Sequence, residues 1–164
     1  MNKPRLATLA AFFTIAASLP LLMADAALDR IKAAGTPVDQ LQAILRDDVY
    51  KTRFINWALP AATKALNAEN ILFLRDAKKI PVATLYTTYI KTGSPKEVNL
   101  PSGIRASIDA AVNKKAVVNL DPAITEICRL VLTNLSTTKH PLSEFLGLME
   151  PAAGKKTEKK TEKK

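Results

Sequence analysis

Two short segments place an amide beside a carboxylate where a backbone begins a helix or bends. Glu69 and Asn70 lie in Asn67-Ala68-Glu69-Asn70-Ile71-Leu72-Phe73-Leu74-Arg75-Asp76, and Asn99 lies in Glu97-Val98-Asn99-Leu100. Their chemistry is hydrogen bonding rather than bond breaking, since an amide donates and accepts without charge and a carboxylate accepts at both oxygens. Part of it is local. Asn99 can satisfy its own turn, and Glu69 with Asn70 can complete a helix N-terminus, where acids and amides meet unpaired N–H groups.

Covalent chemistry is poorly supplied. The chain has one His, one Cys, five Gly that form no phosphate-cradling loop, and no His-Glu-x-x-His spacing. His140 precedes Pro141 at a helix start with nothing nearby in sequence to orient it as an acid or base, so it reads as exposed or capping. Cys128 falls on the apolar side of the helix after Pro122, near Ile124, Ile127 and Val131, and reads as a small core residue. Being alone, it forms no internal disulfide. The sequence calls for neither a cofactor nor a metal.

Length and charge narrow the class further. A chain of 164 residues holds one compact domain with tails. Its 24 basic against 15 acidic side chains suggest a basic protein, yet Lys155–Lys164 alone carries six Lys and two Glu. With that tail and the first 26 residues set aside, 16 basic and 12 acidic side chains remain, an ordinary surface balance. The aromatic residues sit at core spacing rather than between basic ones, which argues against nucleic-acid recognition. Residues 151–164 offer nothing apolar to bury beyond Pro151, Ala152 and Ala153 and read as a disordered Lys-rich tail.

The N-terminus has the composition of an export signal. Lys3 and Arg5 precede an apolar stretch from Leu6 to Met23, broken only by Thr8, Thr14, Ser18 and Pro20, and Ala24-Asp25-Ala26 supplies small residues at a cleavage site. Residues 1–26 therefore read as a signal peptide, with an uncleaved membrane anchor through residues 6–23 or a buried N-terminal helix as alternatives. In either membrane-targeted case the basic end stays cytoplasmic and the rest of the chain lies outside the cytoplasm, secreted or membrane-anchored.

Residues 27–150 read as an all-α domain of about eight or nine short helices. Ala27 to Ala34 is stopped by Gly35. Thr36-Pro37-Val38-Asp39 then starts a helix, with a capping hydroxyl, proline in the first turn and a carboxylate three residues after the cap. Asp48 is read as the cap of the next helix, which shows Val49, Phe54, Trp57 and Ala58 on one side and ends near Pro60. Asn67 is read as the cap for Ile71, Leu74 and Ala77. Pro81 opens a helix faced by Val82, Leu85, Tyr86, Tyr89 and Ile90 and closed by Gly93. Pro95 and Pro101 stiffen the loop that follows. Ile104, Ile108, Ala111 and Val112 mark another helix, Asp121-Pro122 begins the longest, and a last one starts near Pro141.

Taken in order, several of these segments resemble the regulator of G-protein signalling (RGS) domain over roughly Pro37 to Leu148. Glu69-Asn70-Ile71-Leu72-Phe73 is similar to the family's Glu-Asn-Ile-x-Phe helix start, and Glu97-Val98-Asn99-Leu100 to its central loop. Leu85 to Pro95 resembles its aromatic helix, and Leu120-Asp121-Pro122 its later proline-initiated helix. The resemblance implies an RGS-like bundle that binds a Gα subunit and speeds GTP hydrolysis by holding the switch regions in their transition-state shape, adding no acid or base. It assigns Asn99 to the central contact and Glu69 and Asn70 to the switch backbone.

The last helix departs from the family, which carries an aspartate there and, four residues on, an arginine before Phe-Leu. Alignment on Phe145-Leu146 puts His140 and Glu144 at those positions, with the charge order reversed. A neutral imidazole accepts one hydrogen bond where a carboxylate accepts several, a difference of about 1 to 3 kcal/mol. Glu144 lies one helical turn from His140 on the same face and can substitute in part. The alternative is an exported, non-catalytic interaction domain that keeps this fold without Gα activity.

Overall fold

A computed structural model describes residues 26–64 and 67–150. The expected tail over 151–164 and the leader, apart from its last residue, lie outside the described residues. What is described is all-helical, with eight α-helices and no strand. They are α1 (26–33), α2 (Pro37–Arg46), α3 (Asp48–Lys64), α4 (Ala68–Asp76), α5 (Val82–Leu85), α6 (Ser102–Asn113), α7 (Asp121–Thr137) and α8 (Leu142–Leu148). α5 continues without a break into a π-helical turn, Tyr86–Ile90. No helix among the described residues is long and apolar enough to cross a membrane.

α7 is the element the others gather around, packing on α2, α3, α4, α6 and α8. Its sequence explains this, because Ala123, Ile127, Val131 and Leu135 recur every four residues and Cys128 widens the stripe, all of them buried. α4 runs antiparallel to α7. At its start, Asn67 just before it and Ile71 share a small cavity with Asn134, Leu135 and Thr138; at its end, Leu74 and the following Ala77 line a pocket with Asp121, Ile124 and Thr125. Ala27, Leu28 and Ile31 of α1 are buried as well, so the first helix belongs to the core.

The start of α2 forms as its residues dictate. Asp39 N–H donates to Thr36 Oγ1 at 3.2 Å, and Thr36 N–H donates back to Asp39 Oδ2 at 3.0 Å, a reciprocal cap with Pro37 in the first turn. The Thr36 hydroxyl, which donates to Asp39 Oδ2 at 2.7 Å, and the Thr36 N–H hold the Asp39 carboxyl below its ordinary range.

Three expectations about helix ends need correction. Asp47, not Asp48, caps α3, its Oδ1 accepting from Val49 and Tyr50 N–H at 3.0 and 3.1 Å. That register turns Tyr50, Phe54 and Ile55 inward and leaves Val49 57% exposed. α3 also runs through Pro60 to Lys64. A proline removes one helical N–H and crowds the preceding turn, but Phe54, Ala58 and Ala62 lie at four-residue spacing and are all buried, so tertiary packing carries the helix past it. Asn67 precedes α4 without a side-chain cap bond; its backbone N–H instead closes α3 by donating to Ala62 O at 3.0 Å.

The ends of α6 and α7 share one device. Ala116 N–H reaches back to Ala111 O and Lys115 N–H to Val112 O; in α7 the same pair is His140 to Leu135 and Lys139 to Ser136. This is the Schellman pattern, and it sets Lys115 at φ 53° and Lys139 at φ 60°, a region that suits glycine.

Candidate functional site

Asn99 stands at the apex of a loop held by several main-chain and side-chain bonds. Leu100 N–H donates to Val98 O at 3.1 Å, a γ-turn centred on Asn99. The flanking Val98 and Leu100 are 0% and 6% exposed, so the turn is anchored on both sides while the asparagine faces outward.

The anchors come from the preceding helix. Its last turn is π-helical, closed by Lys91 N–H on Tyr86 O, and the carbonyls of Thr88 and Tyr89 accept from Lys96 and Val98 N–H at 3.1 and 2.8 Å. Helix ends carry such unpaired carbonyls, and here the returning loop satisfies two of them. Glu97 adds a brace, accepting Gly93 N–H at 2.7 Å and pairing with Arg105 of α6 at 3.0 Å. Arg105 Nη2 also donates to Val98 O at 2.9 Å. Gly93 has φ +80°, a conformation that favours glycine, so its role as the helix stop is conformational.

The loop is joined to α4 through Tyr89. The phenol donates to Asp76 Oδ2 at 2.7 Å, and the ring meets Phe73 edge-on at 5.8 Å. Arg75 grips the same carboxylate through Nε and Nη2 at 2.7 and 3.0 Å. Burial, aided by the bond to Asp76, pushes the Tyr89 phenol up to about 12, and the Arg75 hydrogen bond holds Asp76 low. Tyr86 is tied in parallel to α6 by a 2.8 Å hydrogen bond to Asp109.

At the other end of α4, Glu69 lies half-buried in the first turn. Asn70 turns inward, 5% exposed, and its Oδ1 accepts no hydrogen bond from the described residues. His140 and Glu144 are both exposed and face each other, Nδ1 to Oε2 at 3.4 Å. They are fixed from below by aromatic packing. Phe145 meets Phe54 edge-on at 5.4 Å, Trp57 leans on both rings, and His140 stands edge-on to Trp57 at 6.2 Å. The three segments thus hang from one framework: Tyr89 links the Asn99 loop to α4, α4 lies along α7, and the Schellman turn of α7 sets His140.

Among the described residues no group of three His, Cys, Asp or Glu side chains is placed to hold a metal. Cys128 is fully buried and its thiol is pushed up to about 12 by burial, far from nucleophilic use. Glu97, Tyr89 and Arg105 support the loop without any local pattern that marks them for it, and Lys51 joins them as an unexpected buried residue. The last had a visible signal, since Lys51 shares the apolar register of α3 with Phe54, Ile55 and Ala58. No family model matches this chain, and no curated protein or solved structure matches it.

Proposed function

We propose that this domain is an RGS-like module that engages a Gα subunit and accelerates its GTP hydrolysis by holding the switch segments in their transition-state shape. The observation that carries the reading is Asn99, an exposed amide on a turn pinned at both flanks. Such preorganisation is what a contact needs when it supplies no chemistry, because a rigid donor and acceptor loses little freedom on binding. The amide brings no charge near the phosphates. Glu69 supplies a second contact at the start of α4, and His140 with Glu144 a third at α8.

The test is single-turnover GTP hydrolysis by a Gα subunit with and without the domain. Acceleration by the natural chain, reduced in Asn99→Ala with helicity unchanged, is the expected result. His140→Asp combined with Glu144→Arg restores the family's charge order and increases the acceleration, about tenfold for each 1.4 kcal/mol of improved transition-state binding. No acceleration by either protein with any Gα class rejects the reading.

A second reading, an exported interaction domain without Gα activity, is favoured by two details. Asn70 is buried rather than presented, and His140 and Glu144 lie beside each other, Nδ1 to Oε2 at 3.4 Å, with the family's charge order reversed. Export through the leader fits this second reading directly, whereas the first requires action inside a cell other than the exporting one or retention of residues 1–26.

A further inference from the structure

Lys51 is the one charged residue of the described core. It is 4% exposed, and its ammonium makes no hydrogen bond or ion pair with any described residue. Burial is the main reason its pKa falls, reinforced by Lys79 and Lys78 and opposed by Asp48 and Asp76. Neither carboxylate compensates it at contact distance. Asp48 lies exposed on the first turn of α3, and Asp76 is occupied by Arg75 and Tyr89. The stem is buried and the unpaired ammonium is left at the edge of the space beside it, an arrangement that a bound anion would relieve.

What lies beside it is an open pocket of about 220 Å³, bounded by the end of α2, the first turns of α3 and α7 and the end of α4. Arg46 and Lys78 line it together with Lys51, against one carboxylate, Asp121. Gln42 Nε2 donates to Thr125 Oγ1 at 2.9 Å across one wall, which leaves the threonine hydroxyl proton free to donate. Leu45, Leu74 and Ile124 make up an apolar side. At roughly 30 Å³ per water, the space equals about seven waters, room for a phosphate group on a body of a few carbons. Three cations facing one carboxylate match a doubly charged anion, and a phosphate monoester carries about −1.5 to −2 at neutral pH.

We propose that this cavity binds a small phosphate monoester, its oxyanion paired with the buried Lys51 and with Arg46 at the rim, its carbon body against Leu45, Leu74 and Ile124. Thr125 donates a neutral hydrogen bond to the same group, and Lys78 closes the outer side. The site is independent of the Gα reading. It lies where α4 ends and α7 begins, whereas Glu69 lies at the start of α4 and His140 follows the end of α7; the Asn99 loop, though tied through Tyr89 to Asp76 near this end, lines no part of the cavity.

Calorimetric titration of the full chain tests this with four probes: sn-glycerol 3-phosphate, inorganic phosphate, succinate and uncharged glycerol. Glycerol 3-phosphate is expected to bind more tightly than inorganic phosphate, with glycerol silent. Lys51→Met is expected to weaken it by at least about tenfold. The ligand should raise the melting temperature of the natural protein and leave that of Lys51→Met unchanged. Lys114→Ala, on the far end of α6, should bind as the natural chain does. If Lys51→Met does not fold, Arg46→Gln, an exposed position, takes its place with the same expectation. Absence of binding by both phosphates up to about 10 mM, a millimolar ceiling that corresponds to negligible affinity, overturns the proposal. So does unchanged affinity in the folded Lys51 or Arg46 variant, and so does binding of succinate alone.

Discussion

The phenol of Tyr89 donates to Asp76 Oδ2 across 2.7 Å while the main-chain carbonyl of the same residue accepts from Val98. One side chain and its own backbone therefore join the end of α4 to the turn that carries Asn99. Tyr89→Phe removes the side-chain half of this link and leaves the ring packing on Phe73 intact. The expected cost is about 1 to 3 kcal/mol, the range for a hydrogen bond to a charged group. Urea denaturation of the two proteins measures it.

The same pair sets the pH dependence of that difference. The Asp76 carboxyl is depressed below 3.8 in the fold, so its contribution is present above that value and is lost as pH falls through the lower folded value. The Tyr89 phenol is raised from 10.0 to about 12, so its contribution is present below 10.0 and is lost as pH rises through about 12. Denaturation midpoints of natural protein and Tyr89→Phe should differ by a constant amount between these limits and converge beyond them. A gap that varies across neutral pH would show that another group governs the link.

Lys115 and Lys139 occupy left-handed conformations at the ends of α6 and α7. Replacing either with glycine relieves the clash between Cβ and the backbone, against a larger entropy loss on folding. A net stabilisation of about 0.5 to 1 kcal/mol is expected for each, additive in the double variant because the sites are separate. Thermal melts decide the sign. Destabilisation would mean that the lysine side chains contribute contacts worth more than the strain.

Phe145 is fully buried against Phe54 and Trp57. Phe145→Ala should cost about 3 to 5 kcal/mol and loosen α8 from α3. Trp57 is the chain's one tryptophan, so its fluorescence reports that step directly. An unchanged emission maximum would show that α8 stays docked without the ring.

Ala27, Leu28 and Ile31 belong to the core, which separates two truncations that differ by only eight residues. Protein starting at Ala27 should melt like the longer chain. Protein starting at Gly35 should lose several kcal/mol through the missing Leu28 and Ile31 side chains, each worth about 1.5 to 3 kcal/mol when buried. Intact mass of material from the native source, expected to begin at Ala27, tests processing independently.

The parts of the fold that were legible are those fixed by local chemistry. Thr36, Pro37 and Asp39 specify a cap within four residues, and the stripe on α7 specifies its own burial. Asp47 and Asp48 offer the same cap, and only the packing of Tyr50, Phe54 and Ile55 chooses between them. Pro60 signals a stop that distant neighbours of Ala58 and Ala62 overrule. The π turn at Tyr86–Ile90 has no signature of its own, because it arises where the loop returns amides to Thr88 and Tyr89. At the candidate site the identity of Asn99 was readable and its presentation was not. That depends on Val98, Leu100 and Arg105 meeting parts of the chain that sequence spacing leaves unspecified.

Cys128 has a practical consequence. It is the chain's one thiol, sealed in α7 with its ionisation pushed up to about 12, so maleimides and disulfide reagents cannot reach a reactive thiolate while the helices stay closed. Its labelling rate is then a clock for opening of the domain centre, readable in dilute protein without denaturant. Because the native thiol stays silent, a cysteine placed at Asn99 would take up a fluorophore selectively, leaving a single dye on the turn for distance or binding measurements.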